Sequence, residues 1–400
     1  MTDLDLPVFD YMAPDLTGEV YHQRLAEVRK EGWLAQSPLS LVVLDRESGE
    51  FFLRSKATAF PGREIADLFG VTSGRLREQI DANILNQTGE RHRRLRALVW
   101  PAFTPRAADR WRPVMREFLR QLWAEVQAAS ATSCEFVTAV AKPYPSLTIT
   151  AVLGAPTEDA PLLHEWSTWV QRQFDIRALA NELGRIERAT VEVYDYVEAL
   201  LEKRQADPSD DLLSSLLAAE AEGDRLSHTE CVNLVLNVIA GGIDTTQSQL
   251  AHALRLFAQH PDQWALLARQ PELTAQAVSE VLRFEPITPF TARICTQEVD
   301  YRGVTFPEGT IVAVCAERPN RETEDGERFD ITVSREDRLL TFGAGPHFCL
   351  GSNLARAELE EALAFLAPRT PDLALDGVPH LGGVEGIYGI DTLPMCWSAA

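Results

Sequence analysis

Phe342-Gly343-Ala344-Gly345-Pro346-His347-Phe348-Cys349-Leu350-Gly351 is the most informative stretch of this 400-residue chain. Its glycines permit tight turns and close approach of the backbone to a flat ligand. Cys349 stands just ahead of a helical pattern running from about Asn353 to Leu366. There, backbone N–H groups and the positive end of the helix dipole favour a thiolate over a thiol. A thiolate donates strongly to haem iron and promotes O–O cleavage. Blander readings compete with this one. A lone cysteine often serves as a small buried hydrophobe. A phosphate-binding Gly-x-Gly-x-x-Gly would need glycine at 348, where Phe348 stands. His347 and Cys349 would make half a zinc site, but no second pair lies at zinc-ligand spacing.

Outward from this loop, most of the first 285 residues show helical periodicity, with amphipathic stretches at 111–127 and 188–204. The clearest helix opens on a capping box, Ser227-His228-Thr229-Glu230, and runs to Gln259, where His260-Pro261 ends it. At 1.5 Å per residue it is roughly 50 Å long, enough to cross the molecule. Near its middle lies Gly241-Gly242-Ile243-Asp244-Thr245-Thr246. Two glycines there cost roughly 1 kcal/mol each against alanine, and Asp and Thr compete for backbone hydrogen bonds. Such a segment serves either a packing kink or a local opening that sets a hydroxyl and a carboxylate beside a small ligand. A further helix follows Pro271 and stops before Pro286. Residues 299–314 read as short strands around the turn Pro307-Glu308-Gly309. Residues 318–338 are polar and irregular, and the last 25 residues read as short strands and loops. The expected fold class is mainly α with a small β portion.

The pattern Phe-Gly-x-Gly-x-His-x-Cys-x-Gly resembles the haem-binding signature of the cytochrome P450 superfamily, soluble bacterial type, at every specified position. The resemblance implies a P450-like fold in one domain over residues 1–400. Haem b (iron protoporphyrin IX) would sit between the long central helix and the helix of the cysteine loop. It implies Cys349 as iron ligand, with His347 near a haem propionate. Asp244-Thr245 resembles the family's acid–alcohol pair: Thr245 would hold hydrogen bonds and Asp244 relay protons from solvent. Gly241 replaces the family's usual alanine there. His92 and Arg96, at i, i+4 before Ala102-Phe103-Thr104, and Arg293 resemble propionate partners; by themselves they read as a solvated basic face. Glu280 and Arg283 resemble the Glu-x-x-Arg pair, which implies a buried network with a meander arginine, here Arg328. Two departures stand out. The meander opens Ala316-Glu317-Arg318-Pro319 instead of Ala-Asn-Arg-Asp, and Leu339-Leu340-Thr341 precedes the loop instead of His-Leu-x. The resemblance implies pocket walls at Ile65–Asn86, Trp166–Leu183, Leu236–Gly241, the residues after Pro286 and Gly386–Gly389. Phe69, Phe174, Phe290 and Tyr388 are candidate contacts.

The expected activity is monooxygenation of an apolar small molecule. The same haem chemistry would also serve coupling, ring closure, desaturation or dealkylation, and a non-catalytic haem sensor is a distant alternative. The resemblance leaves electrons to separate proteins, a ferredoxin and ferredoxin reductase or a flavodoxin, docking through Arg93, Arg94, Arg106 and Arg356. The chain is acidic, with formal net charge -21 and pI near 4.8, which argues against nucleic-acid and anionic-membrane partners. Four lysines stand against 34 arginines, a bias that reads as GC-rich bacterial coding. No run approaches the roughly 20 apolar residues of a membrane span. The acidic N-terminus lacks a signal peptide's features. Six scattered cysteines read as free thiols. A cytoplasmic monomer is expected.

Overall fold

The computed structural model describes residues 5–222, 226–334 and 339–399. The first residues of the acidic N-terminus and the end of the polar meander, Arg335–Arg338, fall outside the described residues. The first half of the chain is helical: α1 (Gly18–Glu31), α2 (Arg46–Arg54), α3 (Gly62–Leu68), α4 (Gly74–Ala82), α5 (Gly89–Val99), α6 (Pro105–Ala129), α7 (Pro143–Leu153), α8 (Ala160–Gln171), α9 (Ile176–Ala206) and α10 (Leu212–Ala221). Next come α11 (His228–Gly242), α12 (Asp244–Gln259), α13 (Pro261–Arg269), α14 (Thr274–Phe284), the single turn α15 (Glu317–Asn320) and α16 (Ser352–Leu366). Among the described residues, no helix is long and apolar enough to cross a membrane.

The strands are short. They are β1 (Leu34–Gln36), β2 (Leu41–Val43), β3 (Thr58–Ala59), β4 (Ser133–Glu135), β5 (Phe290–Cys295), β6 (Val299–Tyr301), β7 (Val304–Phe306), β8 (Ile311–Cys315), β9 (Ala374–Leu375), β10 (His380–Leu381), β11 (Ile390–Thr392) and β12 (Pro394–Cys396). The main sheet runs in the order β1-β2-β8-β5-β3, and β2 pairs in parallel with β8 at Leu41↔Val312. It joins the start of the chain to its last third.

The long helix of the sequence reading is two helices meeting end to end. The capping box forms as expected: Ser227 Oγ accepts from Glu230 N, and Glu230 Oε2 accepts from Ser227 N. The pattern breaks at Ile243, where φ -93 and ψ -71 separate α11 from α12. The break falls next to the two glycines and Asp244, the residues whose propensities predicted it. The two helices form the axis of the main core, with Val232, Leu236, Ile239, Leu250, Leu254 and Phe257 buried.

A second core cluster seals the N-terminal segment onto the sheet. Phe290 and Tyr388 belong to it, beside Phe9, Tyr21 and Leu25. This corrects their assignment as pocket contacts. The Tyr388 ring is buried, its hydroxyl accepts from Gly18 N at 2.9 Å, and Phe290 stacks on Tyr11 with centroids 4.6 Å apart.

Glu280 and Arg283 form the expected buried pair, 2.7 Å apart. Arg283 also donates to the carbonyls of Gly326 and Arg328, at 2.7 and 2.9 Å, and Glu280 accepts from Asp330 N. Arg328 therefore enters through its backbone. Its exposed side chain pairs with Asp330 at 2.9 Å, which corrects the expected arginine contact.

The unusual Glu317 has a partner the sequence did not reveal. His22 of α1 lies between two fully buried carboxylates, 3.1 Å from Glu317 and 3.2 Å from Glu285. Arg318 and Arg321 also pair with Glu317, and Arg255 pairs with Glu285. A glutamate replacing the family's asparagine is thus matched by a histidine from the other end of the chain.

Candidate functional site

Three elements bring the predicted residues together: the cysteine loop ahead of α16, helix α5, and strand β5. The loop is fixed by its own backbone. Cys349 N donates to Phe342 O at 2.9 Å, and Phe348 N donates to Gly345 O at 3.1 Å. Gly345 has φ +70, and a Cβ there would lie 2.8 Å from Leu53 O at the end of α2. Only glycine fits both the torsion and the space.

Two forces act on the Cys349 thiol. Burial pushes its pKa up. The backbone N–H of Gly351, the Arg96 guanidinium and the N–H of Ser352 act the other way, and burial wins. The helix terminus favours the thiolate, as its position in sequence suggested, but does not suffice alone. The sulfur suits a site where a cation completes the charge balance.

Beside it, four basic side chains converge. His92 and Arg96 come one turn apart from α5, Arg293 from β5 and His347 from the loop. The His92 and His347 rings lie 4.2 Å apart. His92 and Arg293 are buried, at 3% and 5% exposure. Burial, then the charges of His92, Arg293 and Arg96, drive His347 down to about 3. Burial brings Arg293 down to about 10 and lowers Arg96 and His92 as well. Among the described residues none of the four makes an ion pair with a carboxylate. Their neighbours carry such pairs instead: Arg94 binds Glu230 at 2.7 Å and Arg93 binds Glu90. Arg293, a buried cation without a carboxylate, alone costs several kcal/mol, and the half-buried Arg96 adds to this. A flat dianion carrying two carboxylates beside an iron for Cys349 meets both demands, so the donor set fits haem.

On the long-helix side, Gly241 leaves open space beside the backbone. It is exposed although Ala240 and Ile243 are buried, and a Cβ there would meet nothing within 4 Å. Thr245 Oγ1 donates to Gly241 O at 2.8 Å, one turn back. The carboxylate of Asp244 is held by α8: Ser167 Oγ donates to Oδ2, and Thr168 Oγ1 donates to Oδ1 at 2.8 Å. Asp244 and Thr245 are adjacent in sequence, yet their side chains bond to different neighbours. Sequence reading missed Ser167 and Thr168. Their signal was faint: His164, Ser167 and Thr168 make a polar i, i+3, i+4 face on an otherwise apolar helix.

The expected wall segments 65–86 and 166–183 do meet. Ala66, Leu76 and Ile80 pack on Ala178 and Leu179, with Phe69 and Trp169 at the edge. Phe174 stands against Phe60, with centroids 5.6 Å apart.

The family model of cytochrome P450 matches residues 40–366. The luteothin monooxygenase of Streptomyces thioluteus is 36% identical over 403 residues, covering 99% of this chain and 97% of that protein. The mycinamicin IV hydroxylase/epoxidase of Micromonospora griseorubida is 32% identical over 329 residues, 80% of this chain and 81% of that one. Among solved structures, that of CalO2 superposes with a TM-score of 0.91 at 30% identity, covering 98% of this chain and all of the other.

Proposed function

The chain belongs to the cytochrome P450 family, and from that premise we propose which of its residues do the work of a haem monooxygenase. Haem b, when bound, supplies the reductive activation of dioxygen and the oxidation of the substrate. Cys349 would hold its iron through Sγ. Its position is fixed by the Phe342 carbonyl, and its charge is favoured by the amides of Gly351 and Ser352 and by Arg96. His92, Arg96, Arg293 and His347 bind the two propionates. The observation that carries this reading is the convergence of four basic groups beside one cysteine with no carboxylate of their own.

With haem bound, Thr245 Oγ1 would offer a hydrogen bond on the substrate side, and Asp244 would take up protons from solvent and hand them on. The break at Ile243 makes room for this exchange in a helix that would otherwise be closed by its own backbone. The substrate is an apolar small molecule, in keeping with the apolar side chains at the edge of the cluster formed by α3, α4 and the start of α9, Phe69 and Trp169 among them. Electrons come from a separate ferredoxin with its reductase, or from a flavodoxin, in the cytoplasm.

The test is the optical spectrum of purified holoenzyme, reduced, with and without carbon monoxide. A strongly red-shifted carbonyl Soret band that disappears in Cys349→His is the expected result. An unshifted band in the parent protein would remove the thiolate and with it the assignment of Cys349.

A further inference from the structure

Helix α8 carries His164, Ser167 and Thr168 on one face, and α12 answers with Asp244 and Gln247, one turn apart. Five polar groups thus meet where the two helices pack, His164 and Ser167 buried and Thr168, Asp244 and Gln247 half-buried. His164 Nε2 and Gln247 Oε1 are 2.6 Å apart. Ser167, 1% exposed, bonds Asp244 and also reaches the Ile239 carbonyl at 3.3 Å. Thr168 takes the other carboxylate oxygen. Among the described residues, Asp244 makes no ion pair with lysine or arginine; two hydroxyls hold its oxygens, and His164 lies close enough to feel its charge. A partly buried polar seam between two helices gives less stability than an apolar one of equal volume, so its presence calls for a function.

We propose that Ser167 and Thr168 are positioning residues that set the orientation of the Asp244 carboxylate for proton delivery. This rests on the reading of Asp244 as the proton-relay acid. A hydroxyl is donor and acceptor at once, so it orients the carboxylate without neutralising it, as an ammonium or guanidinium would do in part. The His164–Gln247 contact keeps α8 in register with α12, so that both hydroxyls face the acid. The acid's orientation thereby depends on α8, the helix that leads into α9 over the apolar pocket.

Oxygen reduction itself supplies a readout that needs no native substrate. One NADPH, one proton and one O2 give peroxide; two NADPH, two protons and one O2 give two waters. The holoenzyme, reduced by NADPH through a plant-type ferredoxin and its reductase, is assayed for peroxide per O2 consumed and for the solvent deuterium isotope effect. The variants are Ser167→Ala/Thr168→Val, Thr168→Ser and Asp244→Asn. Positioned proton transfer contributes roughly 10²–10⁴-fold, and losing orientation alone forfeits a small part of it. The double variant is expected to raise the peroxide share at least about threefold and to enlarge the isotope effect. Thr168→Ser, which keeps the hydroxyl, stays near the parent, and the red-shifted carbonyl band is unchanged in all. Parent-like values in the double variant, with Asp244→Asn strongly altered, would overturn the positioning role and leave the relay standing. An unaltered Asp244→Asn would overturn the relay itself, and this proposal with it. Should the double variant lose haem, the single Thr168→Val carries the same comparison.

Discussion

At the scale of single residues, position in sequence predicted placement well and chemical state less well. Cys349, His347, His92, Arg96 and Arg293 stand together, as the resemblance of their motifs implied. The balance of forces on the thiol was not legible, because it depends on how deeply the loop is buried and not on which residues flank it. Gly345 was legible as a turn residue, but its contact with Leu53 was not. Gly345→Ala forces a Cβ into 2.8 Å of the Leu53 carbonyl at a positive φ. The expected loss is about 1–3 kcal/mol from the torsion alone. It should appear as a lowered melting temperature and reduced haem content per chain. A variant matching the parent in both would show that the loop can move away from α2.

At the scale of elements, periodicity found the helices, and propensity found the break between α11 and α12. What periodicity cannot give is the partner of an element. Helix α1 reads as an ordinary amphipathic helix, yet its His22 neutralises Glu285 and Glu317, some 260 and 290 residues away. The two carboxylates outweigh burial and raise His22 from 6.5 to about 9. A group whose folded pKa is raised stabilises the protein fully below its unfolded value. That contribution is lost as pH rises from 6.5 through 9. At about 1.36 kcal/mol per pKa unit it amounts to about 3 kcal/mol. Glu285 runs the opposite way: held down to about 2, it contributes above its ordinary value of 4.5 and loses this as pH falls toward 2. Urea unfolding of the parent and of His22→Gln at pH 6 and pH 9.5 tests the first arm. The parent should lose stability between the two pH values and the variant much less; parallel losses would show that His22 is not the titrating group.

For the molecule as a whole, net charge was legible and its distribution was not. Of the four arginines expected to face a redox partner, two are engaged. Arg94 is tied to Glu230, and Arg356 donates to Ser279 Oγ and lies over Phe342. Arg93 and Arg106 remain at the surface, Arg93 in an exposed pair with Glu90. The exposed rings of Trp100 and Phe348 lie on the same two elements as the haem-loop cysteine and α5's end. Reversing charge at both, Arg93→Glu with Arg106→Glu, is expected to slow the first electron transfer from ferredoxin and to flatten its salt dependence. Stopped-flow reduction across ionic strength measures this; an unchanged rate and slope would place the docking face elsewhere.

The parallel pairing of β2 with β8 also sets a timetable. Leu41–Val43 cannot find Val312–Val314 until about 270 further residues have been made. At roughly 5–20 residues per second a ribosome needs on the order of 15–55 s for that span. Through most of that interval β2 lacks its β8 neighbour, and His22 lacks both of its carboxylates. The cysteine loop follows within a few tens of residues of β8. Closure of the sheet and completion of the haem-binding loop therefore fall within the same short stretch of synthesis, and a chain released early has neither.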